Sequence, residues 1–220
     1  MACELNPADQ RRLVAGQLAG VLFCGVATYG ALTRPGFDLN RHAVSNLSLG
    51  EGGWTMIAAF VISGLLTLLC AIGLSNILKE GRGKRTIPIL VGIYGIGLVL
   101  AGIFPPPACC GFPAGTAEDQ LPVMTPSALV HSMAFMLAFS SLIAACFVAA
   151  ARMGGAAALP SLAAGMLMPL LVGLGMSNLM APGIAFFIAA IIGWTWLAIV
   201  VMQLAGQSVH PGDPIPAHQP

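Results

Sequence analysis

His42, Ser45 and the acids Asp38 and Glu51 lie close together in the chain, and a second histidine, His131, stands far downstream. These are the side chains of a hydrolytic site: serine supplies a nucleophile, histidine takes its proton, and a carboxylate orients the imidazole. Ser45 with His42 or His131 as base and Asp38 or Glu51 as orienting acid is the catalytic candidate. No Gly-x-Ser-x-Gly elbow surrounds Ser45, so the spacing does not specify a reaction. His42, His131 and a carboxylate would also suffice chemically for a divalent metal, but their spacing matches no metal signature, and no ligand set is assigned. Read as a binding surface, Arg41, His42, Ser45, Asn46, Glu118, Asp119 and His131 could grip a small molecule or a lipid at one face. The plainest reading is architectural. In it Ser45 or Asn46 caps a short interfacial helix, and Arg41 pairs with Asp38 or Glu51.

Other chemistry is thin. Of the four histidines only His131 falls inside an apolar stretch, which argues against a haem held by paired histidines or a zinc held by three. The sequence calls for no cofactor. Cys24, Cys70 and Cys146 sit in apolar stretches and read as small apolar side chains. Cys109 and Cys110 are adjacent; a disulfide between neighbours strains the peptide unit, and no Cys-x-x-Cys accompanies them. Asn46-Leu47-Ser48 matches a glycosylation acceptor.

The elements that must position these residues follow from composition. The chain has 220 residues, of which 57% are apolar and only 8% charged, 9 Lys and Arg against 8 Asp and Glu. A soluble domain carries about 25% charge. So little charge excludes a soluble enzyme and a disordered chain, and a net charge of +1 offers no footprint for nucleic acid. Asp, Glu, Lys and Arg are absent from six apolar stretches, 13–32, 54–78, 86–104, 127–151, 160–180 and 183–205. About 20 residues cross the hydrocarbon core as a helix, whereas a buried strand runs about 4–8. The sequence therefore predicts an all-α membrane protein, a bundle of six transmembrane helices. The first stretch is too long for a signal-peptide core and is preceded by acids, so it reads as a retained helix.

Orientation follows from basic residues. Arg11, Arg12, Lys79, Arg82, Lys84, Arg85 and Arg152 fall on one side, Arg34 and Arg41 on the other. That imbalance predicts an inner-membrane protein with both termini cytoplasmic. Two long loops, 33–53 and 105–126, then form an outer cap, and Ala181-Pro182-Gly183 makes a tight hairpin. The Pro-rich segment 206–220 reads as a disordered cytoplasmic tail. Within the stretches, small residues recur at four-residue spacing: Gly16 and Gly20; Gly165, Pro169 and Gly173; Ala185, Ala189 and Gly193. Such faces let helix backbones approach each other, and Pro169 predicts a kink. Ser63, Thr67, Asn76, Ser140, Ser141, Ser177, Asn178 and Thr195 read as helix–helix hydrogen-bonding groups.

Several short motifs carry a resemblance. They are Arg34-Pro35-Gly36-Phe37, His42-Ala43-Val44-Ser45-Asn46-Leu47, Trp54, Gly64-Leu65-Leu66, Gly102-Ile103-Phe104-Pro105, Gly111-Phe112-Pro113-Ala114-Gly115-Thr116, and His131 opening the fourth helix. Over most of its length the chain resembles the domain-of-unknown-function 998 family of prokaryotic six-helix membrane proteins. The resemblance implies the fold and an inner-membrane location, and no established activity. In that family an Asp-Pro precedes Gly-Phe-Pro; here the matching positions read Pro107-Ala108, so a site pairing that Asp with His131 lacks its acid.

The first functional expectation is a binding or accessory protein using its outer loops, with membrane lipids as partners, no nucleic acid, and a small molecule or lipid as ligand. The second is a membrane-embedded hydrolase or transferase acting on a lipid-linked substrate at the outer leaflet. The third is a transporter of a small neutral solute, with Pro169 and Asn178 along its path. An enzyme requires His131 and the His42–Ser45 segment around one cavity; a transporter requires a polar cavity reaching the midplane.

Overall fold

Two of the long helices start where side chains cap them. Asn6 Oδ1 accepts the Ala8 N–H at 2.9 Å with Pro7 in the first turn, and Thr125 Oγ1 accepts the Ala128 N–H at 3.2 Å with Pro126 following. The computed structural model describes residues 5–209. Among them are six long helices, α1 (Pro7–Thr33), α2 (Trp54–Ile77), α3 (Thr86–Ile103), α4 (Pro126–Met153), α5 (Leu159–Met176) and α6 (Pro182–Val209), with no strand. All six are long and apolar enough to cross a membrane. The predicted all-helical, six-span architecture is thus observed, with shifted ends. The Asn6 cap starts α1 ahead of residue 13. Helix α5 stops at Met176, short of residue 180, and Asn178 just beyond adopts a left-handed φ of 55°. Helix α6 runs on to Val209, so residues 206–209 of the expected tail are helical, and the remainder of that tail lies outside the described residues.

The helices alternate in direction. Each packs on its neighbour in sequence, and α6 returns against α1. The small-residue faces lie mostly inside: a Cβ on Gly16 would meet Cys70, one on Gly20 Trp194, one on Gly165 Cys146, and one on Gly193 Leu142. Pro169 and Gly173 are the exceptions: both are exposed, with open space beside Gly173. Of the mild polar groups, Ser63 donates to the Ala19 carbonyl across the α1–α2 seam at 3.0 Å, and Asn76 to Asp9 at 2.7 Å. Thr67, Ser141 and Ser177 instead bond carbonyls of their own helices.

At one end, the Arg152 Nη1 donates to the carbonyls of Glu80 and Arg82, both at 2.8 Å, and pins the basic turn between α2 and α3. The neighbouring half of the bundle is tightly filled, with Ile87, Val91, Leu142, Leu197, Val200 and Leu204 no more than 1% exposed. The two long connections, 34–53 and 104–125, lie together at the other end.

Candidate functional site

The cap is assembled around Phe112, which is 1% exposed. Phe37 meets its ring edge-on at 5.4 Å, His42 tilts against it at 5.4 Å, and the Arg34 guanidinium lies 5.4 Å from its centroid. Arg34 also donates to the carbonyls of Leu47 at 3.0 Å and Leu49 at 2.7 Å. These close the short 3-10 helix Val44–Ser48, whose last carbonyls have no partner within the turn. Neither Ser45 nor Asn46 caps that helix, contrary to expectation: Ala43 stands at the N-cap and both polar residues lie inside the turn.

His42 is a strut in this cap. The Asp38 backbone N–H donates to its Nδ1 at 3.0 Å, so the ring hydrogen sits on Nε2, which donates to the Cys110 carbonyl at 3.0 Å. Both nitrogens are occupied, and the ring is 2% exposed. Asp38 turns to Asn40, accepting its backbone N–H at 2.9 Å and its side-chain N–H at 2.8 Å, and these bonds hold the exposed carboxyl below its ordinary value. Arg41 pairs across the loops with Glu118 at 3.0 Å, and so with neither Asp38 nor Glu51. That pair is solvated and contributes little. Glu51 and Asp119 are exposed. Asn46 is 7% exposed and donates to the Pro107 carbonyl at 3.2 Å, which removes it from reach as a glycosylation acceptor.

Beneath the cap is a cavity of about 360 Å³. Ala43–Asn46 and Pro106, Pro107 and Cys109 roof it; α3, α4 and α6 form its walls, with Phe23 and Phe60 behind. It is an apolar space, lined by the rings of Phe60, Phe135, Phe139 and Phe186. No Asp, Glu, Lys or Arg lines it. Met136 of α4 and Met176 of α5 also line it, yet they are 47% and 60% exposed, so the cavity reaches the bundle's outer surface beside α4. Tyr94 stands in the wall seven residues below Ala101, about 10 Å down α3 and near that helix's middle.

Of the residues singled out in the sequence, Ser45, Asn46 and His131 line this cavity; Asp38, Arg41, His42, Glu51, Glu118 and Asp119 do not. His131 is 6% exposed, one turn into α4. Its Nδ1 lies 2.8 Å from the Phe104 carbonyl and 3.1 Å from that of Ala101, the unsatisfied end of α3. Carbonyls only accept, so the hydrogen is on Nδ1, and in the neutral ring Nε2 is left as a bare acceptor. No bond from the described residues engages it. Cys109, in the roof, touches Cys110 through sulfur at 2.8 Å, and burial together with that neighbour pushes its thiol up to about 12, far from a reactive thiolate at neutral pH. Among the described residues no three His, Cys, Asp or Glu side chains gather closely enough to hold a metal.

Sequence reasoning missed Arg34, Phe112 and Tyr94. Arg34 could have been found as one of only two basic residues on its side and Phe112 through the Gly-Phe-Pro motif that holds it, whereas Tyr94 carries no local signal.

The family described as protein of unknown function (DUF998) matches the chain over residues 17–203. No curated protein and no solved structure matches it.

Proposed function

The chain belongs to the DUF998 family of proteins of unknown function, and from that premise we propose that it is an inner-membrane binding or accessory protein that holds an amphiphile beneath its cap. The observation that carries this reading is the apolar cavity whose wall is continuous with the lipid-facing surface at Met136 and Met176. A molecule dissolved in the bilayer could enter sideways without crossing water, its chain among the phenylalanine rings and its polar end near Ser45, Asn46 and His131. Cap and cavity face outward and both termini inward, supported by the seven basic residues at one end against Arg34 and Arg41 at the other.

Binding is favoured over cleavage by what the wall lacks. Ser45 and His131 share it, but Asp38 and Glu51 stand outside, so no carboxylate in the wall completes a hydrolytic set. Binding is favoured over transport by the closely packed half of the bundle below Tyr94.

Native mass spectrometry of the protein extracted in mild detergent tests the reading. The wild type is expected to retain a lipid-sized adduct. Ala190→Phe, which puts a ring into the wall on α6, is expected to lose it, while Gly173→Ala, beside open space, keeps it. Equal adducts in all three folded proteins would overturn the reading.

A further inference from the structure

Resting on that reading, we propose that the cavity's ligand is a neutral long-chain alcohol whose hydroxyl donates a hydrogen bond to Nε2 of His131. Charge excludes most headgroups. A phosphate or carboxylate headgroup needs a cation, and no Lys or Arg lines the cavity; Arg41 is engaged by Glu118, and Arg34 by the Leu47 and Leu49 carbonyls. An ammonium headgroup needs a carboxylate, and none lines it either. A charge left unpaired in such a space is disfavoured far more than any contact there could offset.

Polarity narrows the choice further. The Ala101 and Phe104 carbonyls dictate the tautomer of His131, so its open nitrogen accepts and does not donate. Its natural partner carries an X–H group without charge, which a hydroxyl supplies and an ether or hydrocarbon does not. Depth agrees. His131 lines the cavity one turn into α4, at the capped end of the bundle, where the polar end of an amphiphile meets the membrane surface. Tyr94 also lines the cavity, 5% exposed, and its hydroxyl makes no bond to the described residues. It stands near the middle of α3, however, where a ligand hydroxyl would be most deeply removed from water. At about 360 Å³ the cavity falls within the roughly 300–1,000 Å³ range of small-ligand pockets.

Four probes of one chain length separate the possibilities: 1-decanol, decyl methyl ether, decane and decanoate, each competing against radiolabelled 1-decanol on the full chain in lipid nanodiscs. The cavity-filled Ala190→Phe protein supplies the blank for partition into lipid. The expected result is that 1-decanol competes about fivefold or more better than the ether and the alkane. Alongside, the ¹⁵N resonance of His131 Nε2 is expected to move on adding 1-decanol and to stay fixed with the ether. An ether as good as the alcohol, or decanoate better than both, overturns the proposal while leaving the amphiphile cavity standing. Binding no greater than the blank for every probe sinks the cavity reading itself. Tyr94→Phe, a minimal change that leaves the His131 bonds intact, is expected to keep the preference for alcohol; losing it would put the hydroxyl two turns deeper and overturn the assignment to His131.

Discussion

Phe112 and its three neighbours illustrate how much of the cap depends on single side chains. Truncating Phe112 to alanine removes the ring that Phe37, His42 and Arg34 all contact. Phe112→Ala is expected to cost about 3–5 kcal/mol, read as a fall in the thermal midpoint of the detergent-solubilised protein; an unchanged midpoint would remove Phe112 from its central place. Asp38 gives the cap an acid dependence. Its carboxyl is held below the ordinary 3.8 by the Asn40 bonds, so its contribution is complete above 3.8 and disappears as pH falls through the lower folded value. The stability difference between wild type and Asp38→Ala is therefore expected to shrink below pH 3.8, and a difference constant with pH would contradict that origin. His131, Ser45 and Asn46 could be singled out from their types and their place beside long loops. The role of His42 could not: it depends on a backbone N–H and a carbonyl from two different loops, which no spacing encodes.

Among the helices, the α2–α3 seam has the closest reciprocal approach. A Cβ on Gly64 would stand 2.7 Å from the Gly95 carbonyl, and one on Gly95 2.9 Å from the Gly64 carbonyl. Only the absence of side chains on both helices permits that distance. Gly64→Val is expected to lower the thermal midpoint clearly, whereas Gly173→Ala, with nothing within 4 Å, leaves it unmoved or slightly raised. Equal effects would mean the seam has no special tightness. The positions of the six spans followed from where charge is missing, because lipid tolerates no such charge. The partners of each small-residue face did not follow, since they depend on how two helices rotate against each other. Gly183 shows the same gap: it stands at the start of α6, where a Cβ would overlap the carbonyls of Leu39 and His42, and its spacing in the sequence marks only a turn.

For the molecule as a whole, the sequence carried the membrane and the number of crossings but not the cavity. The cavity arises between α6 and the closely packed α3–α4 pair, under two loops that interlock, so no one segment bears its signature. Orientation is open to direct labelling. With Cys109 and Cys110 changed to serine, a membrane-impermeant maleimide on intact cells is expected to label Glu118→Cys and to spare Lys84→Cys; the reverse pattern would invert the proposed topology. A bound amphiphile would be seen most directly in a high-resolution density map of the protein in lipid nanodiscs. An elongated density is expected to run from the gap beside Met136 and Met176 to the Nε2 of His131. A collapsed cavity, or one holding only ordered water, would contradict it.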